Sequence, residues 1–149
     1  TPLDIYKHQI KLELTFLVNF ISKLLNKKHK FKIIKQNNNN SYYWPRLNSD
    51  IDGQINWNWD AQDIVSFIRG FSHPFNGAFS YIGKSKIRIF NASSHISKTR
   101  FHPFQNGIIF RFDKKNIFIA ATRHFIKIPI NEMVCDLNKN DVLLGKRFK

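Results

Sequence analysis

The chain has 149 residues and a formal net charge of +14, from 24 Lys and Arg against 10 Asp and Glu. Hydrophobic residues at 42% and aromatic residues at 15% are too abundant for a disordered protein, and the length allows one domain with an extension. No apolar run could span a bilayer, no signal peptide opens the chain, and the single cysteine, Cys135, excludes an internal disulfide, so we expect a cytoplasmic protein without membrane contact.

The N-terminal residues predict a long helix that needs a partner. Thr1 and Pro2 suit a helix start, and an opening Thr instead of Met suggests a fragment of a longer protein. Apolar residues cover a stripe of this helix that is wide enough to require burial on more than one side. An absent domain would cover it, and a coiled-coil or oligomer helix is the alternative, although the pattern lacks a clean heptad. The apolar residues of the stripe are Ile10, Leu12, Leu14, Phe16, Leu17, Val18, Phe20, Ile21, Leu24 and Leu25.

A polar linker separates this helix from the rest of the chain. Residues 36–41, Gln-Asn-Asn-Asn-Asn-Ser, have no apolar side chain to pack and mark a domain boundary. Tyr43, Trp44 and Arg46 follow, and they allow two functions. The rings could stack on a base or sugar of a substrate, with Arg46 on a phosphate, or they could pack between two domains. We expect packing, because Tyr and Trp commonly fill interfaces.

The stretch 55–90 predicts a short capped helix followed by a hairpin. Asp60 lies where an N-cap belongs, and Gly70 and Pro74 end the helix. Strands are predicted over 78–82 and 86–90, the second with clear alternation of apolar and basic residues. One face of the predicted helix is apolar, since four residues recur at helical spacing: Ile64, Phe67, Ile68 and Phe71.

The second half of the chain predicts further short strands. Alternating apolar residues indicate strands over 108–112, 117–121 and 125–130, and Pro129 favours an edge position. Residues 91–103 are polar and predict a loop. Short strands at this spacing indicate an α+β fold in which a small barrel or open sheet accompanies the short helix.

Three motifs in the central stretch carry a resemblance to a known family. They are Ile-Asn-Trp at 55–57, Ile-Arg-Gly at 68–70 and Pro-Phe-Asn-Gly-Ala at 74–78. These resemble the C-terminal domain of the formyltetrahydrofolate-dependent formyltransferases, with Asn56 in place of the usual aspartate and Gly70 in place of the usual alanine. The run from Gly77 to Gly83 looks most like the branch that formylates amino sugars on sugar nucleotides. Residues 144–148 resemble the terminal Gly-x-x-Phe element of the family.

The resemblance implies a domain organisation. Residues 1–35 would be the last helix of a Rossmann-like catalytic domain that lies outside this sequence, 36–54 a linker, and 55–149 an OB-like small β-barrel with one short helix. In the family, 10-formyltetrahydrofolate and the catalytic Asn-x-His and aspartate belong to the N-terminal domain. None of these motifs occurs here, so we expect no catalytic or cofactor-binding residue in this chain and no activity from it alone. The six histidines have no metal-ligand spacing, so we expect no metal site.

The resemblance also implies an acceptor and partners. The parent would transfer a formyl group to a primary amine, first choice an amino sugar on a sugar nucleotide, with methionyl-tRNA, the initiator tRNA, as the alternative. Its own N-terminal catalytic domain would be the main partner, and a homodimer is an option. A stand-alone OB-like module that binds nucleic acid or protein is a further alternative. Arg69, the charged residue of the helix motif, would hold the helix to a carboxylate or touch a substrate phosphate, and we expect the structural role.

The positive charge has two interpretations at this point. A basic surface could bind RNA phosphates, as a tRNA-formylating enzyme needs. Codon bias of an AT-rich genome could also enrich Lys together with Asn, Ile and Phe. The sequence contains no aromatic-plus-basic signature of a known RNA-binding module. The local clusters are Lys27, Lys28, Lys30 and Lys32; Lys84, Lys86 and Arg88; and Lys146, Arg147 and Lys149.

Overall fold

The computed structural model describes residues 1–26, 29–98, 100–135 and 144–149, so Lys27 and Lys28 of the first basic cluster lie outside the described residues. The chain forms two compact units, one of residues 4–47 and one of residues 1–3 with 48–149. The helices are α1 (Pro2–Leu25) and α2 (Ala61–Gly70). The strands are β1 (Ala78–Ile82), β2 (Ser85–Ile89), β3 (Ser93–Ile96), β4 (Ile109–Phe112), β5 (Asn116–Ala121), β6 (His124–Pro129) and β7 (Met133–Cys135).

Helix α1 dominates the first unit, and none of its residues is buried. It begins at Pro2 as predicted, and its last turn carries Lys23, a charge that suits the negative end of the helix dipole. The rings of Phe16 and Phe20 stack with centroids 5.9 Å apart, yet both remain exposed to solvent. None of the helices in the described part of the chain is long and apolar enough to cross a membrane.

The second unit contains a three-stranded antiparallel sheet in the order β1-β2-β7. β1 and β2 form the predicted hairpin, and Gly83 adopts a φ of +61° at the first central position of its two-residue turn. β7 pairs with β2 through Ile87 and Cys135. β7 was not predicted, because three residues are too few to show an alternating pattern.

A four-stranded antiparallel sheet in the order β3-β6-β5-β4 forms the rest of the unit. The prediction that 91–103 is a loop is wrong for β3, which pairs with β6 from Ser93–Lys127 to Ile96–His124. β3 is an exposed edge strand and therefore has a polar sequence without alternation. The edge position predicted from Pro129 is wrong, because β6 lies between β3 and β5. Pro129 lies beyond the last β3 pair and pairs with Asn116 of β5, so its missing N–H interrupts no ladder.

The C-terminal segment connects the two sheets. Lys149 exchanges backbone hydrogen bonds of 2.9 and 3.0 Å with Tyr81 of β1, and Phe148 donates to the carbonyl of Gly107 at 2.9 Å. Ile109 of β4 donates to the carbonyl of Lys146 at 2.9 Å. In the described residues the strands do not close into a barrel, because β3 and β7 remain unpaired on their outer sides. The α+β class is confirmed, and the closed form of the predicted barrel is wrong.

The core lies between α2 and the inner faces of both sheets. The Asp60 side chain accepts a hydrogen bond from the Gln62 N–H at 3.0 Å, which confirms the predicted N-cap. The apolar face of α2 then packs against β1, β3 and β6. The largest completely buried side chains are Phe148, Ile64, Ile68, Ile87, Ile89, Ile109, Ile117, Ile119, Ile126 and Ile128.

The outer face of the four-stranded sheet carries a second, aromatic cluster. Phe118 alternates with the core residues of β5, and its ring lies 5.9 Å from that of Phe125 and 6.5 Å from that of Phe110. Phe101 packs on Phe110 at 4.9 Å, and the Arg111 guanidinium lies 3.8 Å from the centre of the Phe118 ring. β5 is therefore buried on both faces, by the core on one side and by the aromatic cluster on the other. The neighbouring strands β4 and β6 are less completely buried.

The connection between Gly107 and the C-terminal segment predicts a substitution effect. Gly107 has a φ of +80°, and a Cβ there would lie 2.9 Å from the Phe148 carbonyl oxygen and 3.3 Å from the Trp57 ring. Gly145 has a φ of +82° with open space around it. We expect Gly145→Ala to cost about 1 kcal/mol of unfolding free energy from the positive φ alone, and Gly107→Ala to cost about 1–3 kcal/mol more from the contact. Urea unfolding checks this, and equal losses would contradict the close approach.

Candidate functional site

A hydrogen-bonded chain of three groups fixes the inner wall of the candidate site. The Trp57 indole donates through Nε1 to Ser80 Oγ at 2.8 Å, and Ser80 Oγ donates to the Lys149 carbonyl at 2.8 Å. Ser80 is completely buried, and the ring of Trp57 stacks on that of Phe148 with centroids 5.1 Å apart. The C-terminal segment is therefore held against residues 54–58 by both polar and aromatic contacts.

A short 3₁₀ turn over Pro103–Gln105 forms the opposite wall. His102 Nδ1 accepts from the Phe104 N–H at 3.2 Å, and Gln105 Oε1 accepts from the His102 N–H at 2.7 Å, which makes a capping box. Pro103 occupies the first turn, where no N–H donor is needed. The turn holds Phe104 outward with 67% of its side chain exposed.

These elements enclose a cleft of about 500 Å³, within the size range of small-ligand pockets. It contains amides, two cations and aromatic rings, and no Asp or Glu side chain is among its lining residues. We call it the C-terminal cleft. Its lining residues are Gln54, Ile55, Asn56, Trp57, Asn58, Pro103, Phe104, Asn106, Arg147, Phe148 and Lys149.

Arg147 is held at the rim of the C-terminal cleft. Its guanidinium lies 5.3 Å from the centre of the Phe104 ring and donates a hydrogen bond to the Phe104 carbonyl oxygen. No carboxylate in the described part of the chain pairs with it. A guanidinium has five N–H donors, so several remain available to an anion.

Asn106 lies at the inner end of the C-terminal cleft with only 6% of its surface exposed. Its Nδ2 donates to Thr122 Oγ1 at 2.9 Å, while its Oδ1 is the one buried side-chain atom without a hydrogen-bond partner among the described residues. An unsatisfied buried acceptor costs about 1–3 kcal/mol.

A second cleft of about 390 Å³ adjoins the first, with Pro103 common to both. Its lining also lacks a carboxylate side chain, and Thr122 on it is the residue that Asn106 contacts. Its lining residues are Arg100, Phe101, His102, Pro103, Thr122 and Arg123.

Two acids outside the clefts, Asp50 and Asp113, stabilise local structure. Asp50 pairs with Arg88, whose side-chain hydrogen bond holds the pKa of the Asp50 carboxyl below its ordinary value, with Lys86 adding to the effect. Asp113 accepts from the backbone N–H groups of Lys115 and Asn116 in the turn between β4 and β5, and these bonds lower its pKa too. The cations of the two clefts are therefore left without these counter-charges.

The four predicted site residues do not line either cleft. Tyr43 and Trp44 are 90% and 83% exposed, and Arg46 is exposed beside them in the unit of residues 4–47. Arg69 is exposed near the end of α2, and its guanidinium contacts no carboxylate among the described residues. Their roles as substrate or interdomain contacts stay predictions.

Sequence analysis missed the C-terminal cleft, because its walls come from three distant segments. One local signal was available: His102-Pro103 followed by Gln105 is a capping sequence that indicates an ordered turn where a loop was predicted. Among the described residues, no group of three His, Cys, Asp or Glu side chains could hold a metal ion.

The capped helix, the hairpin and the two antiparallel sheets thus define an α+β domain with a basic cleft. Residues 49–135 match the model of the formyl transferase C-terminal domain, and the chain belongs to that family. This confirms the resemblance drawn from the motifs at 55–57, 68–70 and 74–78.

The chain is similar to several curated relatives along part of their length. It is 28% identical over 128 residues to methionyl-tRNA formyltransferase of Coxiella burnetii (strain CbuK_Q154), covering 86% of this chain and 38% of the relative. It is 29% identical over 121 residues to methionyl-tRNA formyltransferase of Malacoplasma penetrans (strain HF-2), covering 81% and 36%. It is 32% identical over 92 residues to the bifunctional polymyxin resistance protein ArnA of Wigglesworthia glossinidia brevipalpis, covering 56% and 13%.

The buried hydroxyl of Ser80 provides a test of the inner wall. Ser80→Ala leaves the Trp57 indole N–H without its acceptor, and we expect a loss of about 1–3 kcal/mol of unfolding free energy. Ser94→Ala, which removes a more exposed hydroxyl bonded to Gln62 at 2.8 Å, is the matched control and should cost under about 1 kcal/mol. Urea unfolding followed by tryptophan fluorescence measures both, and similar losses would argue against the buried chain of bonds.

Proposed function

We propose that this chain is the C-terminal part of a formyltransferase. Residues 1–35 would be the last helix of the catalytic domain, 36–54 the linker, and 55–149 an OB-like domain whose strands stay open between β3 and β7. The family match supports this, as does the coverage of 36–38% of the methionyl-tRNA formyltransferases. The exposed apolar flanks of α1 also support it, because a catalytic domain would bury them.

The parent protein would transfer the formyl group of 10-formyltetrahydrofolate to a primary amine. The amine nitrogen attacks the formyl carbon, a tetrahedral oxyanion forms, and a base removes a proton from the attacking nitrogen. The oxyanion then collapses as the bond from the formyl carbon to N10 breaks, and N10 takes up a proton as tetrahydrofolate leaves. This chain contains no Asn-x-His sequence to supply these groups. Its part in the reaction would be to bind and orient the acceptor.

The acceptor that we now favour is methionyl-tRNA, which reverses the order given by the sequence motifs. The observation that carries this choice is the pair of adjoining clefts whose linings contain Arg100, Arg123, Arg147 and Lys149 and no Asp or Glu side chain, which suits a phosphate backbone. The relatives named methionyl-tRNA formyltransferase also match 81–86% of this chain, against 56% for ArnA.

An amino sugar on a sugar nucleotide is the second candidate. The ArnA match at 32% identity and the run from Gly77 to Gly83 favour it. Most of that run has a structural explanation, however: Gly77 has a φ of +81°, and Ala78, Phe79, Ser80 and Ile82 are buried in β1. Residues that define a hairpin core carry little information about the acceptor.

The remaining expectations stay predictions. A stand-alone binding module would leave the apolar flanks of α1 in water, which argues against it. A homodimer and a cytoplasmic location have no further support from the described residues.

Formylation assays test the proposal. The reading frame that encodes this chain, with its upstream coding sequence, is expressed and incubated with 10-formyltetrahydrofolate and methionyl-tRNA, or with an amino sugar nucleotide. We expect formyl-methionyl-tRNA from this protein and no product from the 149-residue chain alone. Formylation of the sugar nucleotide only would overturn the acceptor, and formylation by the 149-residue chain alone would overturn the assignment of catalysis to another domain.

A further inference from the structure

We propose that the C-terminal cleft is a binding site for one nucleotide unit, with the base at Phe104 and the phosphate at Arg147 and Lys149. The inference rests on the proposed function in one respect, since both candidate acceptors carry nucleotides. The shared chemistry is a base and a phosphate, supplied either by an RNA strand or by a sugar nucleotide.

The aromatic group for the base is Phe104. The residue is 67% exposed although the capping box fixes its backbone, so the ring presents an apolar surface from a fixed backbone position. Base stacking on such rings tolerates any base, because every base has a π face.

The phosphate position follows from the two cations. The cation–π contact with the Phe104 ring and the hydrogen bond to the Phe104 carbonyl hold the Arg147 guanidinium at the rim, and Lys149 lines the same cleft. A fixed guanidinium recognises phosphate oxygens through paired N–H donors. Asp and Glu side chains, which would repel phosphate, are absent from the lining residues.

The amides complete the chemistry of the site. Asn56 Oδ1 accepts from the Asn58 N–H at 3.0 Å, which fixes the loop and directs polar groups along the cleft. Gln54 and Asn58 line the same cleft, so amide donors and acceptors are available to the edge of a base.

Two substitutions test the site without disturbing the core. Phe104→Ala removes the ring proposed for the base and keeps the backbone carbonyl that accepts from Arg147. Arg147→Ala removes the phosphate contact, and Arg111→Ala is its matched control, because Arg111 is another exposed arginine stacked on a phenylalanine, in this case Phe118. Circular dichroism melts confirm that each variant folds.

Binding is measured on the full-length protein by calorimetry or anisotropy, with UDP and with a short single-stranded oligoribonucleotide. We expect Phe104→Ala and Arg147→Ala to weaken binding by about tenfold or more, and Arg111→Ala to leave it within about twofold. Tighter binding of the oligoribonucleotide, with a steeper salt dependence, would identify an RNA strand, and equal or tighter binding of UDP a sugar nucleotide. Binding that is absent, or unchanged in both cleft variants, would overturn the site.

The same preparations separate this inference from the proposed function. If the protein formylates an acceptor but both cleft variants bind nucleotide as well as the unmodified protein, the proposed cleft site is wrong and the proposed formyltransferase function stands. Nucleotide binding that both variants weaken, in a protein that formylates neither acceptor, would keep the site and remove the formyltransferase function.

Discussion

The buried Ser80 hydroxyl is the contact on which the architecture of the second unit depends. It accepts from Trp57 and donates to Lys149, and so joins the residues before α2 to the last residue of the segment that connects the sheets. Without that segment, Tyr81 of β1 and Ile109 of β4 would lose their backbone partners at the outer edges of the two sheets. A single hydroxyl thus links positions that lie 23 and 69 residues away.

The C-terminal segment that Ser80 holds also positions the cations of the C-terminal cleft. Phe148 is 2% exposed and stacks on Trp57, and its neighbours Arg147 and Lys149 are carried to the surface on either side. Alternation along an extended segment directs one side chain inward and its two neighbours outward. Burial of Phe148 therefore positions Arg147 and Lys149 at the surface. These three consecutive residues contribute both to the core and to the charge of the cleft.

The sequence predicted the elements that depend on neighbouring residues, and it missed those that depend on contacts between distant parts of the chain. The N-cap at Asp60, the β1–β2 hairpin and the strands β4, β5 and β6 follow from spacing and turn residues. β3 was missed because an edge strand such as Ser93–Ile96 can be polar, and the cleft was missed because it joins residues 54–58, 103–106 and 147–149. Tertiary contact, which no periodicity encodes, decides both.

The arrangement of charge is more informative than its sum. A compositional bias would scatter lysine without regard to acids, and the net charge alone could not distinguish that from a binding surface. Here Asp50, Asp60 and Asp113 are each engaged in an ion pair, a helix cap or a turn. The acids thus stabilise local structure, whereas Arg147 and Arg123 line clefts without a carboxylate. A phosphate that enters either cleft would meet cations, and no Asp or Glu side chain of the lining would weaken their attraction. This argues that the positive charge at these positions has a function.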